Sequence, residues 1–188
     1  MRELSDRALN VAEVKGATYA DIRIVRRENQ SIVVKNGKVE ALSQDEDQGF
    51  GVRVILNGAW GFASSSLLSL EEVERVTALA VEIARASVLV KTKDVNIGPP
   101  VVYSDTYRTP VKIDPFQVSM ETKIELLLAA DAGMRLAKGV GVAESNLQFV
   151  RERKVFASSE GSFIEQEIIE SGGGLEATAV GEGDVQKR

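Results

Sequence analysis

The chain has 188 residues, 44% of them hydrophobic, with no histidine, no cysteine and a formal net charge of -5. A chain of this size can bury roughly 70% of its unfolded surface, which suffices for one domain or two small ones. Without imidazole or thiolate it cannot build the usual zinc sites, a Ser-His-Asp triad, a Cys-His pair, a disulfide or an iron-sulfur cluster, and its acidic balance weighs against a nucleic-acid partner.

No apolar run approaches the roughly 20 residues that cross a bilayer, and the first ten residues lack the apolar core of a secretion signal. The expectation is a cytoplasmic protein with no membrane partner. For acid-base work only carboxylates, Lys, Tyr and hydroxyls are available.

The first predicted element is an amphipathic helix over Glu3 to Lys15, with Leu4, Ala8, Val11 and Val14 at helical spacing and a stop at Gly16. Tyr19 to Ser66 then reads as four short strands. Asn36-Gly37 is the dipeptide that best tolerates the two positive φ angles of a type I′ hairpin turn. Counting outward from that turn places Ile32, Val34, Val39 and Ala41 on one face. Asp21 to Arg27 likewise sets Ile22 and Ile24 on a single face, and Phe50 to Leu56 does so with Phe50, Val52, Val54 and Leu56, which gives a half-buried antiparallel sheet.

A second helix is predicted from Ser69, where Ser69 and Glu72 make a capping box and Val73, Val76, Ala80 and Ile83 form the buried stripe. Residues 88–118 hold all four prolines (Pro99, Pro100, Pro110, Pro115) and read as an extended connector. A third helix begins near Asp114-Pro115 and runs through Ser119 to Lys138, offering Met120, Ile124, Leu127, Leu128 and Met134 to a core before Gly139. Strands follow, with expected breaks at Ser158 to Gly161 and at Gly172 to Gly174.

The order of helix and strands repeats, and DIRIVRRENQSIVV (21–34) aligns loosely with SNLQFVRERKVFAS (145–158). The expected fold class is α+β, antiparallel sheets with flanking helices, read as two related helix-plus-strands subdomains. The expected division is an N-terminal α+β domain over 1–87, the connector over 88–118, and a central α+β region over 119–188 that is truncated at its C-terminus.

Gly139-Val140-Gly141 and Gly172-Gly173-Gly174 lack the spacing of phosphate-binding loops and read as turn glycines. Asp45-Glu46-Asp47 reads as a solvated acidic loop rather than a cation site, because the spaced oxygen ligands of a calcium loop are missing. Arg23, Arg26, Arg27, Arg151, Arg153 and Lys154 fit outward-facing strand positions better than a nucleic-acid stripe. The lone Trp60, between Gly58 and Gly61 and followed by Ser64-Ser65-Ser66, is either a core aromatic anchored by a turn or part of a peptide-binding surface.

Taken together, Tyr19-Ala20-Asp21-Ile22-Arg23, Val34-Lys35-Asn36-Gly37-Lys38-Val39-Glu40, Gly49-Phe50-Gly51-Val52-Arg53-Val54 and Gly58-Ala59-Trp60-Gly61-Phe62-Ala63-Ser64 resemble the N-terminal region of the TldD/PmbA family, the modulator of DNA gyrase family. The Ala-Trp-Gly-Phe-Ala-Ser wording is closer to the TldD branch. The resemblance is specific over Tyr19 to Ala86 and looser over Val101 to Gly183. It implies a cytoplasmic zinc metallopeptidase that cleaves unfolded peptides inside a dimer cavity, paired with an identical or a PmbA/TldE-like subunit. In that family a His-Glu-x-x-x-His helix and a later Cys hold the zinc, all downstream of the matched region.

No catalytic, metal or cofactor residue therefore carries over, and the chain by itself is expected to be inactive. Its expected role is to help form the cavity and guide peptides, with Gly49, Gly51, Arg53, Gly58, Trp60 and Gly61 as candidate peptide contacts beside a strand open to β-augmentation. The alternative is a regulatory binding module acting on a protein or DNA target, as the family's older name suggests.

Overall fold

The computed structural model describes residues 1–188. In chain order they form helix α1 (Arg2–Val14), strands β1 (Tyr19–Lys35), β2 (Lys38–Leu56) and β3 (Ala59–Ser65), helix α2 (Leu70–Val88) and strand β4 (Ser104–Arg108). A 3-10 turn (Pro115–Gln117), helix α3 (Met120–Arg135) and strands β5 (Val140–Ser158), β6 (Phe163–Gly181) and β7 (Asp184–Lys187) complete the chain. The strands hydrogen-bond in the order β3-β2-β1-β5-β6-β4, and β7 also pairs with β6. The α+β class read from the sequence is the observed one, and β2-β3 and β6-β7 are antiparallel. The β4-β6 pair is parallel, an exception to the all-antiparallel expectation.

The four short strands expected between Tyr19 and Ser66 are three, because β1 and β2 run for 17 and 19 residues. Glu28-Asn29-Gln30 and Asp45-Glu46-Asp47-Gln48 are polar but contain no Gly or Pro, so nothing forces the backbone out of the extended region. Asn29 Nδ2 donates to Asp45 Oδ2 at 2.6 Å and holds the two polar stretches together, which places the expected acidic loop inside β2. The expected break at Gly172 to Gly174 is also absent, since β6 passes straight through it. Asn36-Gly37 does form the turn between β1 and β2 with φ of 47° and 76°, and Asn57-Gly58 repeats the device between β2 and β3 at 49° and 73°.

Two compact units each gather non-consecutive segments of chain. The first comprises Met1–Arg27, Asp47–Arg108 and Glu152–Glu167. In it α1 and α2 cover Ile22, Ile24, Phe50, Val52 and Val54. The buried stripe of α1 is Ser5, Ala8 and Ala12, while Val14 stays 78% exposed. That of α2 includes Val81 and Ala84 in place of Ile83, which is 38% exposed. In α1 the buried residues are all small, and a short side chain lets a helix axis come closer to its neighbours than a long one does. Only half of the expected capping box forms: Ser69 accepts from the Glu72 N–H at 3.2 Å, but the Glu72 carboxylate turns outward to Arg75 at 2.7 Å.

The second unit comprises Glu28–Glu46, Thr109–Arg151 and Ile168–Arg188. Its core is small, with Ile32 and Val34 packed on Leu127, Met120, Ile124, Leu128 and Leu147. Val39 and Ala41, expected on the same buried face, are exposed, because α3 covers only the β1 arm of the hairpin. The third predicted helix is two elements: Asp114 caps the 3-10 turn, and Ser119 separately caps α3. Polar groups supply what the small apolar core lacks. Lys123 Nζ donates to Gln30 Oε1 at 2.6 Å and sits 4.6 Å from the Phe149 ring centroid, and Arg151 pairs with Glu28 and Asp114 over the face of Phe116.

The segments that looked duplicated, 21–34 and 145–158, lie in the neighbouring strands β1 and β5, and each of those strands follows a helix and precedes a second long strand. Asn36 N–H donates to the Ala143 carbonyl, and Ser159 N–H to the Ala20 carbonyl, so β1 and β5 run antiparallel.

Candidate functional site

Strand alternation decides what the first unit offers on the face away from its helices. Ile22, Ile24, Phe50, Val52 and Val54 point to the core, so Tyr19, Asp21, Arg23, Gly49, Gly51 and Arg53 point the other way. β3 supplies Trp60, Phe62 and Ser64 to that side, with Arg53 opposite Phe62 and Gly51 opposite Ser64. The result is a shallow trough of about 520 Å³ lined by Asp21, Arg23, Gly49, Gly51, Arg53 and Phe62 among others.

One end of the trough is rigidly built. Asp21, with a side chain only 3% exposed, accepts at Oδ2 from Tyr19 Oη (2.9 Å), Arg53 Nε (2.8 Å) and Arg53 Nη2 (2.6 Å). The Arg53 guanidinium also lies 4.9 Å from the Trp60 ring centroid, and Trp60 meets Tyr19 edge-to-face at 6.2 Å. Burial works against the Arg53 charge, but the hydrogen bonds and charge of Asp21 outweigh it and hold the group protonated more firmly than usual. Arg53 thus presents a fixed cation beside an apolar wall, which suits peptide carbonyls and carboxylates.

Burial, reinforced by the Asp21 hydrogen bond and charge, pushes the Tyr19 hydroxyl up from 10.0 to about 12. An acid whose folded value is raised stabilises the fold below its unfolded value, so this contribution is complete below pH 10 and disappears as pH rises to about 12. A phenolate absorbance step near pH 12 is expected in the native protein and should vanish in Tyr19→Phe; a titration unaltered by that change would contradict the assignment.

The six candidate contacts divide by the direction their strand positions face. Gly49, Gly51 and Arg53 line the trough, and Trp60 supports Arg53 from the same side. Gly58 sits in the turn, where an added Cβ would come within 2.6 Å of Asp94. Gly61 faces α2, where an added Cβ would lie 1.9 Å from the Ala80 carbonyl oxygen. We assign these last two to turn geometry and helix packing. Sequence reasoning missed Tyr19, Asp21, Arg23 and Phe62; the available signal was an Asp, a poor strand former, in phase with the Arg of a neighbouring strand.

No group of three His, Cys, Asp or Glu side chains converges to hold a metal ion. No helix is long and apolar enough to cross a membrane.

Residues 20–84 match the family model described as PmbA/TldA metallopeptidase domain 1, and residues 113–188 match the PmbA/TldA metallopeptidase central domain. The chain belongs to the PmbA/TldA metallopeptidase family. It is 34% identical over 152 residues to a metalloprotease of Methanocaldococcus jannaschii, covering 80% of this chain and 33% of that protein. A metalloprotease of Methanothermobacter thermautotrophicus is 30% identical over 149 residues, 78% of this chain and 31% of its own. The chain therefore spans about a third of the length of the curated relatives it matches.

Among solved structures, a candidate modulator of DNA gyrase from Bacteroides thetaiotaomicron superposes with a TM-score of 0.77 at 18% identity, over 99% of this chain and 43% of that one. TldE from Thermococcus kodakarensis gives 0.65 at 15% identity, over 96% and 40%. At these identities the likeness is one of fold. Membership of the PmbA/TldA family implies a metal for the complete metallopeptidase, and the residues of this chain do not fit one.

Proposed function

We propose that this chain is the non-catalytic N-terminal and central part of a cytoplasmic metallopeptidase, that it helps enclose a dimer cavity, and that it guides unfolded peptides toward metal ligands supplied by another stretch of protein. The observation that carries this reading is the trough, which joins a fixed guanidinium and an exposed aromatic, Phe62, beside the terminal strand β3. A strand that ends a sheet can accept an extended chain through backbone hydrogen bonds, so recognition tolerates varied sequences. A peptide paired along β3 would set its alternate side chains beside Trp60, Phe62 and Ser64, with Arg53 behind Phe62 on β2. The metal, zinc in this reading, belongs to the remainder of the enzyme, and the partner is an identical or a PmbA/TldE-like subunit.

The test replaces Gly51 by Val and Trp60 by Ala in the complete enzyme. An added Cβ at Gly51 meets the Phe62 ring at 2.8 Å and swings it across the trough, and loss of Trp60 removes the aromatic ring packed against Arg53. Both variants should lower kcat/KM for unstructured peptides by about tenfold, the equivalent of ~1.4 kcal/mol, at unchanged metal content. Unaltered turnover would reject the guiding role. Salt-sensitive DNA binding by the complete protein would instead favour a regulatory module.

A further inference from the structure

The helix-facing side of the first unit's sheet turns from apolar to basic within one step along its strands. The Asn36–Ala143 and Ala20–Ser159 hydrogen bonds lock β1 to β5 in a single register, so Ile24 lies opposite Val155 and Arg26 opposite Arg153. Arg153 Nε donates to Glu167 on β6 at 2.6 Å, and Glu167 is aligned with Arg108 of β4. One row across four neighbouring strands therefore reads Arg26, Arg153, Glu167, Arg108, with three guanidiniums to one carboxylate. These residues line a cleft of about 550 Å³ floored by Ile24 and Val155, on the opposite sheet face to the trough and wholly within the first unit.

The fold gains nothing from this row. Like charges directly opposite each other on adjacent strands repel, which is the situation of Arg26 and Arg153. The exposed Arg26 and Arg108 side chains make no ion pair, and Glu165, aligned with Thr106 one step further along, has none either. The cleft thus holds two uncommitted cations at its sides and an uncommitted carboxylate between them.

We propose that this cleft binds an extended acidic peptide segment, with Arg26 and Arg108 each taking one carboxylate and Glu165 accepting a backbone N–H from the stretch between them. A compact anion such as inorganic phosphate fits poorly, because at the centre of the cleft it would meet Glu165 and Glu167. Two separate carboxylates fit well. Neighbouring strands lie about 4.8 Å apart, so three steps from β1 to β4 set the Arg26 and Arg108 backbones about 14 Å apart, a span that their long side chains shorten. In an extended segment, acidic residues two or four positions apart are separated by about 7 or 14 Å, which matches that range. A guanidinium is the side chain best shaped to hold a carboxylate through two hydrogen bonds.

The test is fluorescence anisotropy of a short dye-labelled peptide with glutamate at alternate positions, mixed with the complete protein and read before turnover. It should bind at least about tenfold more tightly than the same peptide with glutamines, and added salt should weaken it. Arg26→Gln and Arg108→Gln should each weaken binding about fivefold and together about twenty-fivefold, while Arg26→Lys keeps most of it. Equal binding of the glutamine peptide, or binding untouched by the Arg variants, overturns the proposal. Inorganic phosphate competing as well as unlabelled acidic peptide overturns it in favour of a small-anion site. Binding lost in Phe62→Ala but kept in the Arg variants overturns it in favour of the trough.

Discussion

Gly61→Ala is expected to destabilise the chain by about 3 kcal/mol, lowering its melting midpoint by about 10 °C. The added methyl would stand 1.9 Å from the Ala80 carbonyl oxygen and 2.6 Å from the Ala84 amide nitrogen. Both are helix backbone atoms, so no rotamer change relieves the clash and α2 must move off β3. Gly51→Ala is the contrasting control, because its close neighbour at 2.8 Å is the free end of the Phe62 ring, which can swing away. Thermal unfolding of the two variants side by side checks the claim; equal melting points would show that α2 does not lie as close as described.

The second large effect is expected at Arg53. Arg53→Ala leaves the nearly buried Asp21 carboxylate with the Tyr19 hydroxyl as its only remaining donor among the three. Breaking one side of a buried pair costs about 3–5 kcal/mol. Because the Arg53 side chain is 40% exposed, solvent screening reduces the expected loss to about 2 kcal/mol. Asp21→Asn in the Arg53→Ala background should recover part of that loss, since a neutral amide is less costly to leave underpaired. A double-mutant cycle in denaturant checks this, and additive losses would mean that the two groups do not interact.

The trough was partly legible in the sequence. Gly49, Gly51, Arg53 and Trp60 stand out as glycines and an aromatic around a strand pair, and they do share one face. Gly58 and Gly61 look the same on paper and serve other purposes, because a glycine reports that something comes close without saying what. Phe62 was hidden for a related reason: its ring covers Gly51 from the adjacent strand, a contact visible only once the register is known. Tyr19 and Asp21 acquire their roles by facing Arg53 across 32 residues or more of intervening chain.

Period-2 alternation, the Asn36-Gly37 turn and the Ser69 cap are local consequences of side-chain chemistry, and they determined the element types and the α+β class from the chain alone. Composition likewise settled that histidine and cysteine chemistry lies outside these residues. Tertiary structure alone decided which side of each helix is buried, that the polar stretches at Glu28 and Asp45 continue as strand, and which glycines admit a neighbour. Those outcomes turn on contacts between residues far apart in the chain, whose energies arise only when the elements meet.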